Sequence, residues 1–484
     1  MSVGLDAWLA RIEKLHPSEI ELGLERVRRV AEALGAASLP MPVITVAGTN
    51  GKGSVVALTR ALAAAAGRRV CVYTSPHLQR FNERITLPDG PVDDDALCAA
   101  FEQVDAARGD TALTYFEFTT LAALWLFRHS GADLAILEVG LGGRLDAVNL
   151  VDADVAVVTS VGLDHTDWLG DTREKVAVEK LGIGRAGRPL VYGEENAPAN
   201  LDAELDRLKA VPLRAGREFQ VEAARLSIRD GQRQRHYPLP LPPRLGGDNL
   251  ATACQALVAA GFPPADDAPH QVADTGLIGR CQVRRYLGVQ CVLDVGHNLE
   301  ALTRLRGRLP AHAGRRRLVL GMMTDKPVEA VVALFAADVD EWYLARPAVS
   351  RAADTGRLAR ALPESALAHR FDSVAAALDH AVADSGAGDQ VLVLGSFFTV
   401  AEALNAMDRG DYEEQQQVAA AEPEPRVAPP VVEEEPSEAP QPAAQDAPQP
   451  GFTVQVASFS DVANAQALVA RLREAGYSAY HREV

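Results

Sequence analysis

Residues 43–54, VITVAGTNGKGS, limit what this chain can fold into more than any other stretch. Val43-Ile44-Thr45-Val46 has the length and composition of a buried parallel strand. It runs into a glycine-rich turn, Gly48-Thr49-Asn50-Gly51-Lys52-Gly53-Ser54, after which VVALTRALAAAAG reads as a helix. Strand, glycine turn and helix N-terminus in succession turn backbone N–H groups and a favourable dipole towards an anion, which is how nucleotide phosphates are cradled. Lys52 supplies a point charge for the β- and γ-phosphates, and a hydroxyl just beyond it can reach Mg2+ directly or through water. The strict P-loop pattern is not met. Val46-Ala47 stand where its first glycine belongs, and Gly53 separates Lys52 from Ser54. A plain turn between strand and helix is the alternative reading.

Up to about residue 410 apolar strands alternate with helical patterns, which predicts a mostly parallel sheet covered by helices. Strands are expected at Val43–Val46, Val70–Thr74, Leu134–Val139, Val155–Ser160 and Leu190–Tyr192, with helical patterns such as Thr119–His129 and Arg173–Leu181 between them. Residues 212–245 suggest a small antiparallel excursion. A second α/β set begins near residue 280, with strands at Val292–Val295, Arg317–Gly321, Glu341–Leu344 and Gln390–Leu394. The expected domains are therefore 1–275 and 276–410. Residues 411–451, rich in Pro, Ala and Glu, lack the apolar groups that would offset ordering entropy and should form an extended linker. Residues 452–484 resume a strand–helix–strand pattern.

The formal net charge of −17 argues against a general nucleic-acid binder, which needs a basic face. Five cysteines without C-x-x-C spacing point to reduced thiols and a cytoplasmic protein, each thiol a small core residue. The N-terminus has acidic interruptions and no signal-peptide pattern, and no apolar run of about 18 residues suggests a membrane span.

Other strand ends carry further polar groups, where parallel sheets hold their ligands. In Tyr73-Thr74-Ser75-Pro76 the Ser75 hydroxyl suits either a metal or turn chemistry before the proline. The strand LAILEV ends on Glu138, a buried-strand carboxylate that needs a cation: Mg2+ beside ATP phosphates, or Arg144 in an ion pair. His165, in VGLDHTD, is either a metal or phosphate ligand or a satisfied structural group. Composition alone makes Lys180 a solvated surface lysine. Arg280 could reach a phosphate and Asp294 a ribose or adenine, or both could serve ordinary loop capping.

Together, AGTNGKGSV, SPHLQRFNERI, TYFEFTTLAAL, LEVGLGGRLDAVN, TSVGLDHTDWLG, LDVGHN, GMMTDK and GSFFTVAEAL resemble the folate branch of the Mur ligase superfamily, the dihydrofolate and folylpolyglutamate synthases. The resemblance implies a Mur-ligase-like P-loop ATPase domain followed by a smaller Rossmann-like domain. It implies ATP held by Thr49, Asn50, Gly51, Lys52, Gly53 and Ser54 on one side and by Asn249, Arg280 and Asp294 on the other. It implies Mg2+ held by Ser75, Glu138 and His165, with K+ as an additional cation. Lys180 would be the family's carboxylated lysine, and Lys52, Lys180 and His165 the catalytic groups. Glu21, Leu22 and Gly23, with Thr114, Tyr115, Phe116 and Glu117 and with Leu145, Asp146 and Ala147, would form a dihydropteroate site, which favours a bifunctional enzyme acting on dihydropteroate, folates and L-glutamate. Family members are commonly monomers. Competing readings are a synthase that only extends folates and another Mur-type ligase acting on a cell-wall precursor. The tail resembles the opening of a SPOR domain, which binds peptidoglycan. That function requires export and a complete domain, and here about half of one is present.

Overall fold

A computed structural model describes residues 4–16, 18, 21–222, 224–239 and 242–421. The first sheet has eight strands: β1 (Val43–Ala47), β2 (Val70–Tyr73), β3 (Ile85–Leu87), β4 (Gly90–Pro91), β5 (Leu134–Glu138), β6 (Val155–Val158), β7 (Pro189–Tyr192) and β8 (Val211–Arg214). Their order is β4-β3-β2-β5-β1-β6-β7-β8. β1 is central and pairs in parallel with both β5 and β6. Only the β3–β4 edge is antiparallel.

Alternation along β1 distributes its side chains to two cores. Ile44 and Val46 enter the cluster that includes Leu58, Leu62 and Leu257, while Val43 and Ala47 enter the one built around Phe101, Phe118 and Phe127. With both faces covered, every residue of β1 is buried, as its continuous apolar run requires. Each fully buried branched side chain contributes about 1.5–3 kcal/mol.

β9 (Gln220–Glu222), β10 (Arg225–Asp230) and β11 (Arg233–Pro238) form a small antiparallel sheet. Gln255, from the helix Gly247–Ala259, ties it down by hydrogen bonds to Arg229 N and O, both 2.9 Å. The third sheet contains β12 (Gln282–Tyr286), β13 (Val289–Asp294), β14 (Arg316–Leu320), β15 (Glu341–Ala345), β16 (Leu367–Phe371) and β17 (Gln390–Leu394), in the order β12-β13-β17-β14-β15-β16. Only β12 runs antiparallel to its neighbour.

The expected inner strands are present. β8, β12 and β16 are edge strands that a search for apolar runs passes over: β16 is LAHRF, with four of its five residues exposed. Residues 411–421, expected to open the linker, instead continue the helix Phe397–Ala421 through DYEEQQQVAAA, and the rest of the expected linker lies outside the described residues. Glu, Gln and Ala are good helix formers, and no proline interrupts them before Pro423. The strand and helix expected at 452–484 lie outside the described residues. Among the described residues no helix is long and apolar enough to cross a membrane.

Candidate active site

The glycine turn after β1 is held from beneath by the β6 loop. Gly48 has φ +151°, and a Cβ there would lie 1.9 Å from Thr159 Oγ1, so no other residue fits. Gly51 (φ +87°) caps the helix Lys52–Ala65, and Asn249 Oδ1 lies 2.8 Å from where its Cβ would be. Thr49 N donates to Ser160 O (2.9 Å), Thr49 Oγ1 donates to Gly162 O (3.1 Å), and Asn50 N donates to Ser160 Oγ (3.0 Å). Lys52 folds back to donate to Gly48 O at 3.0 Å. Gly53 abuts Leu277, and Ser54 is buried in the first helical turn.

Because β5, β1 and β6 are adjacent, their tips bring Glu138, Lys52 and His165 into one electrostatic neighbourhood. Lys52 is half-buried, and desolvation lowers its pKa; Glu138 is its strongest favourable charge, and Arg280 opposes it. Burial raises the pKa of Glu138, and Lys52 is the largest counterweight. The direct hydrogen bond to Glu138 comes from Ser75 N at 3.4 Å. Arg144 pairs instead with Glu179 (2.8 Å), which overturns the ion-pair reading of Glu138.

Lys180 is buried at 5% exposure rather than solvated. Burial, then the charge of Lys52, push its pKa down to about 7. His165 takes a left-handed backbone (φ 51°) at the start of a short helix, and burial lowers its pKa. Among the described residues no group of three His, Cys, Asp or Glu is arranged to hold a metal. The expected ligand set has only two such groups, with a serine hydroxyl as the third. Glu138 nonetheless fits a divalent cation: it is a buried carboxylate that accepts from Ser75 N and lies within electrostatic reach of Lys52.

The second α/β layer closes over this loop. Asn50 Nδ2 donates to Glu300 (3.0 Å) and Asn50 Oδ1 accepts from Asn298 Nδ2 (3.0 Å). Lys326 reaches across to Asp164 at 2.6 Å, and His297 Nε2 lies 3.5 Å from the same carboxylate. Burial disfavours the Asp164 charge, but the hydrogen bonds from His297 and Lys326 outweigh it and hold its pKa far below the usual carboxylate range. Arg280 lies over the Phe397 ring at 5.5 Å and contributes charge at both Lys52 and Glu138. Asp294 accepts from Cys281 N (2.8 Å) and Gly296 N (2.7 Å), so each of its oxygens already holds a turn.

A second group of expected residues lies around the helix Tyr115–Arg128 and the segment that follows β5. Thr114 caps the helix Tyr115–Arg128 in a capping box with buried Glu117. Arg26 bridges Glu117 and Glu21. Leu22 and Leu145 are half-buried and Ala147 is buried. Phe116 packs 5.9 Å from the Tyr73 ring. Burial pushes Asp146 up to about 6, against hydrogen bonds from Leu141 N and Val148 N. The Arg84 guanidinium lies 5.6 Å from the rings of both Phe81 and Tyr115 and donates to His77 Nδ1 at 2.8 Å.

Comparison with known proteins agrees with this geometry. Residues 46–189 match the Mur ligase middle domain and residues 279–397 the Mur ligase glutamate ligase domain; residues 448–484 match a SPOR domain. The chain is 43% identical over 411 residues to the dihydrofolate synthase/folylpolyglutamate synthase of Escherichia coli K12, covering 84% of this chain and 96% of that protein. The chain belongs to this family of Mur ligases. E. coli FolC in complex with DHPP and ADP superposes with TM-score 0.78 at 42% identity, over 84% of this chain and 98% of that one. A bifunctional folylpolyglutamate synthase/dihydrofolate synthase with Mn, AMPPNP and L-glutamate bound superposes with TM-score 0.77 at 41% identity, over 84% and 98%. Its fold is thus the Mur-ligase fold of these enzymes.

Within this family fold, the sequence motifs marked the strand tips but not the cross-layer partners. Asp164, His297 and Lys326 each lay in a quoted motif without an assigned role. Arg84 lay in FNERI, where only the absence of an ion-pair partner among the described residues, visible in three dimensions, sets it apart.

Proposed function

We propose that this protein is a cytoplasmic, monomeric ATP-dependent ligase that joins L-glutamate to dihydropteroate and adds further glutamates to folates. The observation that carries this reading is the convergence of half-buried Lys52 and buried Glu138 beyond the adjacent strands β1 and β5, with buried Lys180, on the helix Arg173–Leu181, in the same electrostatic neighbourhood, in a chain of the synthase family. A carboxylate is a poor electrophile, so the γ-phosphoryl group of ATP is first transferred to the substrate acid. The O–P bond to ADP breaks and an acyl phosphate forms. The glutamate amine then attacks the acyl carbon, loses protons, and expels phosphate. No enzyme nucleophile is needed; catalysis is alignment and charge stabilisation.

The chain's residues divide that work. Lys52 and the N–H groups of the glycine turn hold the phosphates, and Asn249 and Arg280 close the nucleotide site from the other side. Thr49 and Asn50, tied to both layers, keep the turn in register. Ser75, Glu138 and His165 would hold Mg2+, which supplies positive charge at the phosphates when bound. Lys180, with a pKa near 7, has the free amine needed to take up CO2 and become an anionic carbamate. Arg84 and Tyr115 face the acid substrate, in the pocket lined by Glu21–Gly23, Thr114–Glu117 and Leu145–Ala147.

Coupled ADP release with dihydropteroate and with tetrahydrofolate, each with and without L-glutamate, tests the reading. Glutamate-dependent release with both acids is expected. Release with tetrahydrofolate alone would reduce the activity to chain extension, and release with neither would end the proposal. For the tail, the SPOR match favours a second, peptidoglycan-binding reading. Glycan pull-down by the full chain but not by a chain ending at Ala421 is the result that would support it.

A further inference from the structure

We propose that Arg26 is a positioning residue for the acid substrate, pinning the segment Glu21–Gly23 to the first turn of the helix Tyr115–Arg128. The inference rests on the reading of these two segments as halves of one dihydropteroate subsite. Residues 21–24 form neither helix nor strand, so no backbone ladder fixes them against the body of the protein. Side chains do so instead. The guanidinium of Arg26 contacts Glu21 through Nη1 and donates to the Glu21 carbonyl at 2.5 Å. The same group donates from Nε to Glu117 Oε2 at 3.0 Å, and Nη2 lies 2.9 Å from Oε1, an ion-pair contact off hydrogen-bonding geometry. From the other side His16 Nε2 lies 2.8 Å from Glu21 Oε2.

Glu117 is itself immobilised. It is 3% exposed, and its Oε2 also accepts from Thr114 N at 2.9 Å while Thr114 Oγ1 accepts from Glu117 N at 3.3 Å. Arg26, 91 residues from Glu117 in sequence, therefore transmits the rigidity of a capped helix to an irregular segment. A planar, five-donor fork can span two carboxylates and a carbonyl at once; an ammonium cannot hold the same three acceptors in one plane. Arg26 is among neither the residues expected to touch substrate nor those at the phosphate loop.

Steady-state kinetics of the full-length chain test this, varying dihydropteroate, ATP and L-glutamate in turn. Arg26→Ala is expected to raise the KM for dihydropteroate roughly 10-fold, because loosened alignment is felt at the acid. The KM values for ATP and glutamate and kcat at saturating acid should stay within about 2-fold. Arg26→Lys should recover only part of the loss. Glu117→Gln, which keeps the side-chain shape, should raise the same KM and serves if Arg26→Ala does not fold. A uniform fall in kcat with all three KM values raised and the melting temperature lowered would mean a general structural role and overturns the proposal. Phe116→Ala separates the two levels. If it raises the KM for dihydropteroate and Arg26→Ala does not, the positioning role falls and the subsite stands. If neither moves it, both fall.

Discussion

Two basic side chains drawn in from solvent, Lys52 at the start of the helix after β1 and Arg317 in the third sheet, have opposite surroundings. Arg317 is 4% exposed at the amino end of β14. It meets Asp389 at 2.6 Å and Glu341 at 3.2 Å, and donates to Ser385 Oγ at 3.2 Å. Burial works against its charge, but hydrogen bonds with Asp389 and Tyr343 prevail and raise its pKa. Lys52 sits at the carboxyl ends of the strands, donates to one carbonyl, and has its pKa lowered. A buried charge whose protein partners are complete belongs to the fold. One whose partners fall short is held ready for a ligand.

The contrast can be broken by experiment. Lys52→Ala should lower kcat about 10^3-fold or more while the melting temperature stays within a few degrees, as followed by ADP release and calorimetry. Arg317→Ala should do the reverse, costing about 3 kcal/mol in urea unfolding because two half-buried carboxylates lose their shared guanidinium, with the KM for ATP unchanged. Inactivity of the Arg317 variant with normal stability would erase the distinction.

Asp146 sharpens it. Its folded pKa of about 6 exceeds the ordinary carboxylate value of 3.8, so its contribution to stability is complete below pH 3.8 and is lost as pH rises through 6. Unfolding free energies should fall by up to about 3 kcal/mol across that window in the parent chain relative to Asp146→Asn. Parallel curves would show that its burial is matched after all. The smallest expected effect is at Lys180, where alanine should cost about 10^2-fold in kcat, or under 3 kcal/mol, with partial rescue by formate or acetate. Since its amine loses its proton near pH 7, bicarbonate activation of the parent should grow as pH rises through that value.

Sequence legibility follows the same division. The strand-tip groups were readable because glycine, a nearby hydroxyl and a terminal carboxylate recur at short spacing, and ligand chemistry dictates that spacing. The inner strands were readable because burial on both faces demands apolar runs. Arg317, Asp389 and Glu341 were not, since their complementarity spans 72 residues at its widest and leaves no local pattern. The same is true of Lys326 and Asp164, which are 162 residues apart. Lys180 was misjudged on composition alone because a buried amine and a solvated one have the same spelling. Tertiary packing, which only the fold reveals, separates them.

The central place of β1 also governs how this protein is made. Val43 pairs with Ala135 and Ile44 with Val155, so the strand has no lateral neighbour until nearly ninety residues have followed it. Thr159 and Ser160, which brace the glycine turn, leave the ribosome later still, and Asn298 arrives well over a hundred residues after them. The glycine turn of a nascent chain must therefore wait, unsupported, for segments synthesised long after it.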